Sequence, residues 1–247
     1  MHFESFKSTY DSLALFGITL MRMSCIPVAK NTAPAEPIAA SLGALMHTGT
    51  MKLFLASYLH PQLREFLHGR ILYIDDAAVG MEEVPFARKE RGEVASIATD
   101  FVSLTVANTT LEEFETQLKK ADCVYVASGN AYRVLYELKK SGAFELLSEA
   151  VRSGLPYAGS SAGAVLAGPS VEPISVMDDP GAVPELHDRT ALSLTPYVVV
   201  PHAQGTTGPY AISVISETVQ KYGKDWNLVL LRDGQALLIN DDCVELI

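Results

Sequence analysis

A serine set among small residues, between an apolar strand and the opening of a helix, is the feature that most restricts this chain. Residues 157–168 read Y-A-G-S-S-A-G-A-V-L-A-G. Within them Gly159, Ser160, Ser161, Ala162 and Gly163 have G-x-S-x-G spacing. Upstream, Leu155-Pro156-Tyr157-Ala158 is short and apolar enough to end a buried strand; downstream, Ala164 to Ala167 can open a helix. Strand, sharp turn and helix around one serine make a nucleophile elbow. Its small neighbours keep a crowded backbone free of clashes. The helix start directs free N–H groups to where an oxyanion would form. The motif therefore points to acyl transfer. A flexible or phosphate-binding glycine turn is the bland alternative, and the flanking strand and helix disfavour it. Ser160 is the neighbouring candidate, but Ser161 holds the central position.

Such an elbow needs a parallel sheet to carry it, and the pattern from Met51 onward supplies one. Strands are predicted at 52–57, 70–75, 101–107, 122–127 and the stretch entering Ser161. Helices are predicted at 61–67, 86–98, 111–120, 130–140 and 144–152 between them. Thr109 or Thr110 can cap the third helix. Its first turn carries Glu112 and Glu113 and its last Lys119 and Lys120, as the helix dipole prefers. Repeated βα units imply an α/β fold, a mostly parallel sheet covered by helices, with catalytic groups at the strands' carboxyl ends. Further strands are predicted at 197–200, 228–231, 236–239 and 244–247, with Asp233-Gly234 as a hairpin signal.

With 48% hydrophobic and 19% charged residues, the 247-residue chain can build a sizeable core. A net charge of −10 argues against nucleic acid or an anionic membrane as partner. Cys25, Cys123 and Cys243 are scattered, so neither a disulfide framework nor a zinc site is indicated, no cofactor is called for, and a cytoplasmic setting is the simplest expectation. Residues 1–50 differ from the rest. Their apolar stretch follows Glu4 and Asp11 rather than a basic region, so it does not read as a signal peptide. The expected organisation is an N-terminal extension, 1–50, and a catalytic domain, 51–247, working as monomer or homodimer.

A nucleophilic serine needs a base. His2 and His47 lie in the extension, His60 and His68 flank a short helix, and His187 sits in a polar loop. His202 follows Tyr197-Val-Val-Val-Pro201, at a strand's carboxyl end, and is the best-placed base. The acid that orients it is open between Asp233, after the 228–231 strand, and Glu172, Asp178 or Asp179, between serine and histidine. For Asp233 and for Asp178-Asp179-Pro180 the bland reading is a turn residue. Backbone amides of Ala162 and Gly129 are the expected oxyanion donors.

Together, S-G-N-A-Y-R-V-L (128–135), G-S-S-A-G-A-V-L-A-G-P (159–169), M-D-D-P (177–180) and V-V-P-H (199–202) resemble the aspartyl dipeptidase (dipeptidase E) and cyanophycinase family of serine peptidases. The resemblance runs from about Met51 to the C-terminus. It implies a fold similar to the class I glutamine amidotransferases, with serine in place of their cysteine. It implies Ser161 as nucleophile, His202 as base, Asp233 as first-choice acid and Glu172 as the alternative, acting on dipeptides or other short peptides. Two departures stand out. The oxyanion loop reads Ala127-Ser128-Gly129-Asn130 rather than G-G-G-N. The family's carboxylate-binding arginine after the histidine is missing, since no Lys or Arg occurs between His202 and Lys221, which leaves Arg133 as a substitute. An α/β-hydrolase-like esterase, with Asp178 or Asp179 as acid, and a non-catalytic binding protein are the competing readings.

Overall fold

A computed structural model describes residues 49–241 and 243–247. Expectations about the N-terminal extension, with Cys25, His2 and His47, fall outside the described residues.

Eleven strands are named in chain order among the described residues: β1 Lys52–Ala56, β2 Arg70–Ile74, β3 Asp100–Leu104, β4 Cys123–Val126, β5 Tyr157–Ser160, β6 Tyr197–Val200, β7 Thr206–Thr207, β8 Tyr210–Ala211, β9 Asn227–Leu230, β10 Ala236–Asn240 and β11 Cys243–Leu246. The helices are α1 Leu63–Phe66, α2 Pro85–Ile97, α3 Leu111–Lys120, α4 Ala131–Ser141, α5 Ala143–Arg152, α6 Ala162–Leu166 and α7 Ile212–Tyr222. Seven strands form the main sheet in the order β11-β10-β1-β5-β4-β2-β3. From β1 to β3 across the sheet the neighbours are parallel; β10 and β11 complete the other side antiparallel. The mostly parallel α/β architecture is as the sequence predicts.

Side chains alternate across the sheet, so each strand feeds two cores. Leu53, Leu55, Leu72, Ile74, Val124 and Val126 face the larger core, shared with Phe114, Leu118, Leu135 and Leu147 of α3, α4 and α5. Phe54, Ile71, Tyr73, Cys123 and Tyr125 face the other, shared with Leu63 of α1 and Val94 of α2. Helices thus cover both faces. Burying each such side chain contributes about 1.5–3 kcal/mol against the entropy of ordering the chain.

Local chemistry sets several boundaries. Thr110 caps α3, its hydroxyl accepting the Glu113 amide at 3.2 Å. Asn130 caps α4 through the Arg133 amide at 3.0 Å, and Gly142 ends it in the left-handed region at φ 78°. β3 is shorter than predicted. The buried Asp76 carboxylate accepts the Val106 and Ala107 amides at 2.7 and 2.9 Å and turns the chain into a 3-10 segment.

The C-terminal third departs from expectation. Asp233-Gly234 does not close a hairpin: β9 pairs in parallel with β6 in a separate two-stranded sheet, while β10 pairs with β1. Helix α7 had no sequence prediction. It buries Ile215, Thr218 and Tyr222 but leaves Ile212 and Val219 exposed, so its apolar residues do not mark one face. Cys123 is a free, buried thiol.

Candidate active site

The carboxyl ends of the parallel strands meet along one edge of the sheet, where open α/β sheets place their sites. β5 enters this edge and turns sharply into α6. Ser161 sits at the turn with φ 49° and ψ −107°, a conformation a non-glycine residue holds only when its surroundings enforce it. They do so here: the Ser161 amide donates to the Ala56 carbonyl, the Val165 amide to the Ser161 carbonyl, each at 3.0 Å. Position 163 admits only glycine, because a Cβ there would stand 2.1 Å from the Val126 carbonyl oxygen.

His202 follows β6 by two residues and is itself in the left-handed region at φ 56°. Its Nε2 lies 3.1 Å from Ser161 Oγ, and its Nδ1 lies 2.8 Å from Asp233 Oδ1. Serine, imidazole and carboxylate therefore form one continuous hydrogen-bonded line. Tyr210 of β8 stacks on the imidazole, ring centroids 4.7 Å apart and planes 7° off parallel.

Asp233 is anchored beyond its contact with histidine. Gln204 Nε2 donates to its Oδ2 at 2.8 Å, and its own amide donates to Gln204 Oε1 at 2.9 Å. Ser57, completely buried just past β1, donates its hydroxyl to Asp233 Oδ1 at 2.7 Å and accepts the His202 amide at 2.7 Å. Burial opposes a charge on Asp233. Hydrogen bonds from His202, Ser57 and Gln204, with the attraction of the imidazole, outweigh it and hold the carboxyl well below the usual range. Ser57 was not singled out in the sequence; a serine ending the first strand of a βα chain is the signal that could have found it.

The other predicted acids are elsewhere. Glu172 pairs with Arg189 and accepts the Tyr222 hydroxyl at 3.1 Å, so it is not brought to His202. Asp179 accepts the Gly181 amide at 2.8 Å, the turn role named as its bland reading. Asp178 does reach the site. Its Oδ2 accepts the Ala131 amide at the start of α4 at 2.9 Å, and burial pushes its pKa up to about 6, moderated by that hydrogen bond and by His202. The acid bonded to His202 follows it in the chain, which departs from the serine–acid–histidine order of an α/β-hydrolase esterase.

Gly129 ends the turn after β4 with φ 142°, and a Cβ there would stand 2.0 Å from the Ala77 carbonyl oxygen. Gly129 and Ser161 both border a cavity of about 530 Å³, together with Tyr58, Met81, Phe86, Asp178, His202 and Tyr210. Ala162 follows Ser161 as the first residue of α6. Arg133 is not among the lining residues, and no lysine or arginine of the described residues is. No cluster of metal-ligating side chains occurs among the described residues. No described helix is long and apolar enough to cross a membrane.

A fully buried carboxylate supports this loop from behind. Glu90 of α2 accepts the Tyr125 hydroxyl at 2.7 Å, the Ser128 hydroxyl at 2.9 Å and the Ser128 amide at 3.1 Å. Ser128 Oγ in turn lies 3.1 Å from Ser160 Oγ, linking the Gly129 loop to the elbow. Burial pushes the Glu90 pKa up to about 7, against the lowering effect of those hydrogen bonds. A carboxyl raised by folding holds its proton more tightly in the folded state. Its contribution is fully present below the ordinary range near 4.3 and is lost as pH rises through about 7. Glu90→Gln should therefore flatten the fall in stability between pH 5 and 8, measured by urea unfolding. An unchanged slope would assign that fall to other groups.

Comparison with known proteins identifies the family of the chain. The model of peptidase family S51 matches residues 38–247. An uncharacterized peptidase of Listeria innocua is 32% identical over 198 residues, covering 77% of this chain and 93% of that protein. Peptidase E of Streptomyces coelicolor is 40% identical over 86 residues, 35% of this chain and 34% of that protein. A crystal structure from Listeria monocytogenes, described under peptidase E, superposes with a TM-score of 0.71 at 29% identity. It covers 80% of this chain and 98% of that one. A serine-type peptidase is what these relatives and the fold agree on, and the chain belongs to peptidase family S51.

Proposed function

We propose that this peptidase hydrolyses dipeptides and other short peptides through an acyl-enzyme on Ser161. The line from Ser161 through His202 to Asp233 is the observation that carries this reading. Ser161 Oγ attacks the peptide carbonyl carbon while its proton passes to His202 Nε2. The carbonyl oxygen becomes an oxyanion, received by the amides of Gly129 and Ala162. The C–N bond breaks, the amine leaves with the proton from His202, and the acyl group stays on Ser161. Water then gives its proton to His202, attacks the ester and releases the acid. Asp233 fixes the imidazole tautomer and stabilises the imidazolium.

Substrate length follows from the cavity. Its roughly 530 Å³ falls in the range of small-molecule pockets. Asp178 lines it with one oxygen engaged by the Ala131 amide, leaving the other for the ammonium of the substrate's first residue. Such an anchor selects peptides with a free amino end close to the scissile bond.

A fluorophosphonate probe tests the nucleophile. Labelling of the native protein, mapped by peptide mass spectrometry, is expected on Ser161 and should be blocked by prior denaturation. Labelling elsewhere, or none on a folded sample, would remove the acyl-enzyme and favour a binding protein.

A further inference from the structure

The cavity beside Ser161 has a chemical character of its own. Tyr58, Met81, Phe86, Pro209 and Tyr210 give it apolar and aromatic walls. The Tyr58 hydroxyl is already committed, donating to the Phe86 carbonyl at 2.7 Å, so Tyr58 offers a ligand chiefly its ring. The charged side chains lining the cavity, Asp178 and Asp233, are both carboxylates. No lysine or arginine of the described residues lines it.

We propose that this wall binds an apolar side chain on the residue whose carbonyl Ser161 attacks, so that the enzyme prefers peptides with leucine, methionine or phenylalanine there over aspartate. The inference rests on the peptidase reading above and names its substrate class. An apolar side chain leaves water for an apolar surface, which favours binding. An aspartate side chain would lose its hydration between two carboxylates and meet no described lysine or arginine in exchange. A lysine side chain would place its charge against rings and a thioether, while the substrate's own ammonium already takes Asp178.

Initial rates on a series of Xaa-Ala dipeptides test this. Leu-Ala, Met-Ala and Phe-Ala should exceed Asp-Ala in kcat/KM by about a hundredfold, the scale on which pockets reject a mismatched group. Asp-Ala or Lys-Ala as the fastest substrate would overturn the apolar assignment while leaving the Ser161 chemistry standing. No turnover across the series, with Ser161 still labelled by fluorophosphonate, would remove the dipeptide reading together with this inference. Met81→Arg supplies a second arm, since it places a cation in the wall without touching the hydrogen-bonded line. The Asp-Ala to Leu-Ala ratio of kcat/KM should rise at least tenfold. An unchanged ratio in a folded variant would overturn the assignment of this wall to the subsite.

Discussion

Ser161→Ala is expected to fold normally and to lose about a millionfold in kcat on any peptide the native enzyme cleaves. Removing the nucleophile of a serine triad has an effect of that order, because the remaining groups act only with it. The fold should hold because the substitution deletes one hydroxyl whose contact is the 3.1 Å bond to His202. The glycine that admits the elbow, Gly163, is untouched. Ser160 offers no rescue: it is buried, and its hydroxyl lies against Ser128 Oγ. Turnover compared by single-turnover assay, with melting temperature as the control for folding, reads the result. Residual activity within a hundredfold of native would exclude Ser161 as the nucleophile.

The next largest effect is expected at the acid. Asp233→Ala should lower kcat by about ten-thousandfold, since the imidazole loses both its orientation and the charge that stabilises its protonated form. Ser57 is completely buried, so its hydroxyl loses its acceptor away from water, and stability should fall by about 1–3 kcal/mol as well. Glu172→Gln is the matching control. Its carboxylate serves Arg189 and Tyr222, so kcat should stay within a few-fold of native. A large loss in Glu172→Gln with little loss in Asp233→Ala would make Glu172 the acid and Asp233 a turn residue. The kcat profile separates orientation from binding, because a substrate contact would raise KM as well.

The parallel half of the sheet was legible because its strands are short apolar runs bounded by helices with ordinary caps and charges. The elbow was legible for a related reason: small residues at fixed spacing leave a backbone few alternatives. His202 could be chosen by its place after an apolar strand. Asp233 could not be chosen from the residues alone, since three other acids had equal claim before the resemblance ranked them. Its position depends on β10 lying beside β1, a contact between residues some 180 apart that local pattern does not carry. The false hairpin at Asp233-Gly234 has the same origin. Local turn chemistry was read correctly, but β9 and β10 belong to different sheets. Ser57 and Glu90 escaped because each matters through what it touches, and neither sits in a recognisable motif.

Ser57 directly follows the first strand of the sheet, yet it holds a residue of the turn just before β10, almost at the far end of the chain. The order of synthesis therefore matters. A chain still emerging carries its serine and histidine long before the segment that orients them has been made. Turnover that depends on Asp233 should therefore begin only when the last strands dock beside the first, so its onset on refolding should report closure of the sheet rather than formation of its helices.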